Sequence, residues 1–246
     1  MEPNSFVSKL ADDAHALLGA AEDRWDRQVP HCPEWDAAGL IRHVGRIFEW
    51  VPAIVASGER VARRDVDPAP AELDHLAPWY NAGLERIVDV LGSADPESKT
   101  WTFSRIADQR VGWWSRRTAM EIAIHRYDAE HALAVDGGPV PGPLDGDLAT
   151  AGIEEFIVEF LPGLLGPEGI EGLNGTLHLH ATDGPVEWWI DLGQVESARP
   201  VHAKADTAIR GTRSALLLWL MNRSAPATLE VLGEPGIVGK WSQLRF

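Results

Sequence analysis

Between Ser5 and Trp25 the apolar positions Phe6, Leu10, Ala14, Leu17, Leu18 and Ala21 return every three or four residues, the spacing of one face of an amphipathic helix. The segment Val29–Trp35 carries two prolines and leads to Asp36, where a helix N-cap belongs. From there Leu40, Val44, Ile47, Phe48, Trp50, Val51 and Ile54 form an apolar stripe, predicting a second helix to about Ser57 that Pro52 is expected to kink or shorten. A third helix is expected over Pro70–Leu91. A fourth, from about Gly112 to Val135, ends before the breaker run Asp136, Gly137, Gly138, Pro139. Four such helices predict a bundle.

Leu144–Leu165 reads as a further helix, after which Gly163, Gly166, Gly169, Gly172 and Gly175 recur at every third position. The run is too short and too poor in proline for collagen and is read as a linker. Beyond it the period changes to two. Thr176, His178 and His180 alternate with Leu177 and Leu179, Asp183 and Gly184 supply a turn, and Val186–Leu192 follows as the hairpin partner. A helix over Thr212–Asn222, a short strand near Thr228–Leu232 and a terminal helix complete the pattern. The expected fold is mainly helical with an α+β remainder: a four-helix bundle over 1–165 and a small α+β domain over 172–246.

The fourth helix holds the first sign of chemistry. At about 100° per residue, Arg116, Ala119, Ala123, Arg126 and Glu130 gather on one arc, read as the solvent face. The opposite half has Trp113, Trp114, Ile124 and Ala132, as a core stripe should, and also Glu121, His125 and Asp128. Burying three ionisable groups without partners costs several kcal/mol each, so something must compensate them. Glu121 and His125, one turn apart, can both reach a metal ion. His43, inside the apolar arc of the second helix, is the candidate third ligand. His43, Glu121 and His125 would form the two-histidine, one-carboxylate set of an open divalent site, zinc above others. A hydrogen-bonded carboxylate and imidazole network without metal is the rival reading. Asp128 can orient His125 from behind or pair with a neighbouring arginine.

Other candidates are weaker. His178 and His180 share a strand face, but without an acid at matched spacing they are read as an exposed sheet face. Cys32 has no activating partner at a predictable spacing, and no P-loop or dinucleotide fingerprint is present. With 37 acidic against 22 basic residues, a formal charge of -15, the chain does not offer the basic surface a nucleic acid requires. Arg63 and Arg64 make only a small spot among acids, read as a solvated loop. The longest apolar runs fall short of the roughly 18 residues that span a bilayer, so no membrane partner is expected. A single cysteine and the absence of a leader pattern at MEPNSFVSKL predict a cytoplasmic protein.

The blocks VPHCPEW (Val29–Trp35), LIRH (Leu40–His43) and RTAMEIAIHRYDAE (Arg117–Glu130) resemble the signature of the mycothiol-dependent maleylpyruvate isomerase family, with a weaker block at AIRG (Ala208–Gly211) running into LLLWL (Leu216–Leu220). The resemblance implies a DinB-like metal-binding bundle followed by a domain similar to sterol carrier proteins. It implies His43, Glu121 and His125 as metal ligands, and Asp128 and Arg210 as accessory active-site residues. It further implies mycothiol as thiol cosubstrate and a small electrophilic molecule as substrate, in an isomerase or S-transferase acting as a monomer or homodimer. Family membership does not set the reaction, and a noncatalytic metal- or ligand-binding or regulatory module is the alternative.

Overall fold

Hydrophobic stripes too wide to be covered by loops pair the first four helices, as a computed structural model describing residues 1–107, 109–165, 173–193, 202–223 and 228–244 shows. These are α1 (Pro3–Ala21), α2 (Ala37–Ser57), α3 (Leu76–Ser93) and α4 (Val111–Val135). Helix α1 packs mainly on α4 and α2 mainly on α3. Leu10, Ala14 and Leu17 of α1, Leu40, Val44, Phe48, Val51 and Ile54 of α2, Leu76, Tyr80 and Ile87 of α3 and Trp114 and Ile122 of α4 are buried between them. The Tyr80 hydroxyl, buried with its ring, donates to the Ala14 carbonyl at 3.0 Å and ties α3 to α1.

Asp36 caps α2 as the sequence predicts, its Oδ1 accepting from the Gly39 amide at 2.7 Å. Pro52 neither ends nor shortens the helix, which runs on to Gly58 at φ 71°, a left-handed cap that suits glycine. Helix α3 starts later than its periodicity suggests, because Leu73–His75 form a separate 3-10 turn ahead of it.

The arc of α4 assigned to solvent is covered. Ala119 and Ala123 are fully buried and Arg126 is 6% exposed. Small side chains there let α1 approach closely. Arg126 meets Asp13 of α1 through Nε at 2.7 Å and Glu130 through Nη1 at 2.7 Å. Burial, opposed by Arg126, holds the Asp13 carboxyl above its ordinary value.

The chain divides into two compact units at Gly142 and Pro143, not at the glycine-rich stretch after Leu165. The helix expected over Leu144–Leu165 forms as α5 (Gly146–Glu155), a π-helical turn at Phe156–Phe160 and α6 (Leu161–Leu165). It belongs to the second unit because α5 packs against α7 (Arg213–Leu220). Gly166, Gly169 and Gly172, and with them the expected start of the second domain, lie outside the described residues.

The second unit is α+β. Strands β1 (Thr176–Ala181), β2 (Glu187–Asp191), β3 (Thr207–Gly211) and β4 (Glu230–Gly233) form a sheet in the order β2-β1-β3-β4. The hairpin β1–β2 and the pair β3–β4 are antiparallel, whereas β1 and β3 run parallel. Leu177, Leu179, Trp188, Ile190 and Ile209 are buried. Helix α7 contacts β1 and β3, and α8 (Gly236–Trp241) brings Trp241 against Trp219. Strand β3 carries no long alternation, and the sequence shows it only as the AIRG block. Among the described residues no helix is long and apolar enough to cross a membrane.

Candidate metal centre

Helices α2 and α4 bring His43, Glu121 and His125 together, one residue from the first helix and two, one turn apart, from the second. His43 Nε2 lies 3.3 Å from Glu121 Oε1, and His125 Nε2 lies 3.5 Å from the same oxygen. All three donor atoms fall within 4.8 Å of one another. A tetrahedral ion with bonds of about 2.0 Å has donor separations of about 3.3 Å, so this set fits a divalent cation in spacing and in donor chemistry.

Asp128 stands behind the cluster with no exposed surface. It accepts from His125 Nδ1 at 3.1 Å and from His31 Nδ1 at 3.2 Å, and the Cys32 thiol donates to it at 3.7 Å. A proton held on Nδ1 by a carboxylate leaves Nε2 of His125 facing Glu121, the arrangement that orients histidine ligands in metal sites. Glu121 turns its other oxygen to the Arg117 guanidinium. Trp35 closes another side, its ring centroid 4.5 Å from that of His43 and 5.9 Å from that of His125.

The electrostatics follow from burial and these partners. Burial lowers the pKa of His43. Burial also works against charge on His125, but hydrogen bonds to Asp128 and Glu121 outweigh it and push the pKa up to about 9. Burial would raise Glu121, yet Arg117, His125 and His43 hold its carboxyl well below the usual range. The cluster as it stands is an ionised Glu121 carboxylate between two cationic groups, Arg117 and His125, with burial favouring the neutral form of His43.

Of the residues singled out in the sequence, His43, Glu121, His125 and Asp128 therefore meet. Arg210 lies in the second unit on β3, where its Nη1 pairs with Glu230 at 2.8 Å. The sequence did not place three neighbours at this centre, although it offered Cys32 as a weak nucleophile candidate. His31, Cys32 and Trp35 lie in an irregular segment where no periodicity assigns a direction, and their only signal was membership of the VPHCPEW block.

Residues 7–130 match the mycothiol maleylpyruvate isomerase N-terminal domain, and residues 147–239 match the C-terminal domain of the same family. The chain belongs to this family. Crystal structures of the mycothiol-dependent maleylpyruvate isomerase and of a mutant of it share the fold: each covers 95% of this chain and 95% of the other, with a TM-score of 0.64 at 11% and 10% identity. A sterol carrier protein 2 like 2 structure from Aedes aegypti covers 39% of this chain and 98% of that chain at 20% identity, with a TM-score of 0.31, and adds nothing to the α+β class of the second unit. No curated protein sequence matches. Within the maleylpyruvate isomerase family fold, the candidate metal centre lies wholly inside the N-terminal unit.

Proposed function

We propose that this chain is a metal-dependent enzyme that activates a low-molecular-weight thiol, mycothiol by the family's name, toward a small electrophilic substrate. The reaction is isomerisation of the maleylpyruvate type or transfer of the thiol. The observation that carries this reading is the convergence of His43 Nε2, Glu121 Oε1 and His125 Nε2 with Asp128 fixed behind them.

His43, Glu121 and His125 would hold the ion, zinc by its taste for imidazole and carboxylate. A dication there supplies the charge that makes a thiol of ordinary pKa near ~8.5 a thiolate at neutral pH. The chain's own thiol is a poor substitute, because the Cys32 sulfur faces the Asp128 carboxylate and a second negative charge beside it is disfavoured. The nucleophile must then come from outside.

The other residues position and shield. Asp128 keeps the proton of His125 on Nδ1, and Arg117 holds the second oxygen of Glu121. Trp35 keeps water from the His43 and His125 rings. A pocket lined by Glu121, Arg117, Thr118, Ile47, Phe103 and Arg63 opens beside Glu121. Arg63, seated 4.7 Å over the Trp50 ring, offers a guanidinium for a substrate carboxylate. Addition of the thiolate to a conjugated cis-alkene forms a C–S bond and leaves a C–C single bond free to rotate. Return of the enolate electron pair expels the same thiolate and restores the alkene in the trans form, whereas uptake of a proton by the enolate carbon keeps the C–S bond and gives transfer.

The test is a thiol-dependent rate measured on zinc-loaded protein with mycothiol and either maleylpyruvate or monobromobimane. A rate above background that is lost in His43→Ala supports the reading. No rate with either electrophile, with metal bound and thiol present, removes it.

A further inference from the structure

A second cluster of ligand-type side chains sits on the polar face of the sheet in the C-terminal unit. His178 and His180 alternate along β1, the hairpin register sets Glu187 of β2 directly opposite His180, and His202 arrives from the segment that leads into β3. Three imidazole nitrogens converge on one carboxylate oxygen. Glu187 Oε2 lies 2.9 Å from His178 Nε2, 3.3 Å from His180 Nδ1 and 2.9 Å from His202 Nδ1. All four donor atoms fall within 4.8 Å of one another.

Hydrogen bonding alone accounts poorly for this arrangement. A carboxylate oxygen has two lone pairs and here faces three nitrogens, each of which must carry a proton to donate. Placed instead around an ion with bonds of about 2.0–2.1 Å, the same atoms would stand about 3.3 Å apart, the separation His180 already has, and His178 and His202 would each move out by about 0.4 Å. Two ligands are set by one strand and a third by its hydrogen-bonded neighbour, so the sheet preorganises three of the four positions. Exposure is graded from the His178 side chain at 8% to that of His202 at 80%, which gives an ion a path from solvent and a closing ligand at the rim. The fixed cation nearest in register, Arg210 opposite His180 on β3, is matched by Glu230 and leaves the carboxylate of Glu187 to offset the charge of the ion.

We propose that His178, His180, Glu187 and His202 form a second metal site, for a divalent ion of the zinc, cobalt or nickel kind, separate from the thiol chemistry. Three imidazoles and one carboxylate select such ions over magnesium or calcium, which prefer all-oxygen shells. Four protein ligands leave no open position, the signature of a structural site. Its effect is to pin the segment carrying His202 onto the β1–β2 hairpin.

The experiment uses the untagged full chain, stripped with chelator, dialysed against zinc and assayed for bound metal. Variants are Glu187→Gln, His202→Ala and, for the other centre, His43→Ala. The expected result is that Glu187→Gln and His202→Ala each bind one zinc per chain fewer than wild type, that His43→Ala leaves this second equivalent in place, and that zinc raises the thermal midpoint of wild type more than that of His202→Ala. His202 is exposed on a loop, so its replacement leaves the fold intact by circular dichroism. Equal zinc content in wild type, Glu187→Gln and His202→Ala overturns the proposal. Failure of the centre on α2 and α4 would register separately, as unchanged metal in His43→Ala.

Discussion

The buried Asp128 carboxylate receives the Nδ1 proton of His125 at 3.1 Å, one turn from the point where His125 Nε2 meets Glu121. This contact sets the tautomer and the ring plane of a candidate ligand without touching the ion position itself. Replacing the carboxylate with an amide keeps the shape and removes the charge. Asp128→Asn is expected to weaken zinc binding at this centre about 10–100-fold while Glu121→Gln abolishes it. Competition with a zinc indicator measures both, and wild-type affinity in Asp128→Asn would show that the contact does not orient His125.

Gly45 lies two residues beyond His43 on the same helix, where an added Cβ would stand 2.2 Å from Cζ3 of Trp79. Alanine is the better helix former by about 1 kcal/mol, but forcing the indole aside costs about 1–3 kcal/mol. The clash outweighs the propensity, and Gly45→Ala is expected to lower the urea midpoint. A higher midpoint would mean that the ring moves away freely.

Asp36 accepts from the Gly39 amide at 2.7 Å at the start of the helix that carries His43. Asp36→Ala is expected to cost about 1 kcal/mol of stability. Calorimetry checks the loss, and zinc content unchanged from wild type shows that the cap acts on the helix rather than on the site.

Asp206 accepts from the Thr176 amide and from the Thr176 hydroxyl, both at 2.8 Å. The backbone bond first, then the hydroxyl and the charge of Lys204, hold its carboxyl below the ordinary value. A depressed acid stabilises the fold above its unfolded pKa of 3.8 and ceases to do so as pH falls through its folded value. Asp206→Asn is therefore expected to melt below wild type at neutral pH, with the gap closing in acid. A gap independent of pH would assign the effect to shape rather than charge.

The helical half of the molecule was legible because helices repeat. Apolar positions every three or four residues located α1, α2 and α4, and the same wheel singled out Glu121 and His125 as inward groups one turn apart. The wheel failed where it asked what lay outside the helix. Ala119, Ala123 and Arg126 read as a solvent arc, yet α1 covers them, since small residues mark a close helix contact as readily as a wet face. Loops carry no such period, so the approach of His31, Cys32 and Trp35 to the centre was not legible.

The strand half shows the same division. Alternation placed His178 and His180 on one face, and the turn at Asp183 and Gly184 implied the hairpin. What answers that face lies beyond the strand itself: Glu187 is set by ladder register, and His202, 15 residues further along the chain, meets the same oxygen. Sequence by itself determined where the main helices and the β1–β2 hairpin lie, that Glu121 and His125 stand one turn apart, and which blocks marked the family, because these depend on neighbours a few positions away. Tertiary structure alone decided that α5 joins the second unit, that His31 and Cys32 reach Asp128, and that three histidines share one carboxylate oxygen. Those outcomes rest on contacts between distant segments, which packing selects and periodicity does not encode.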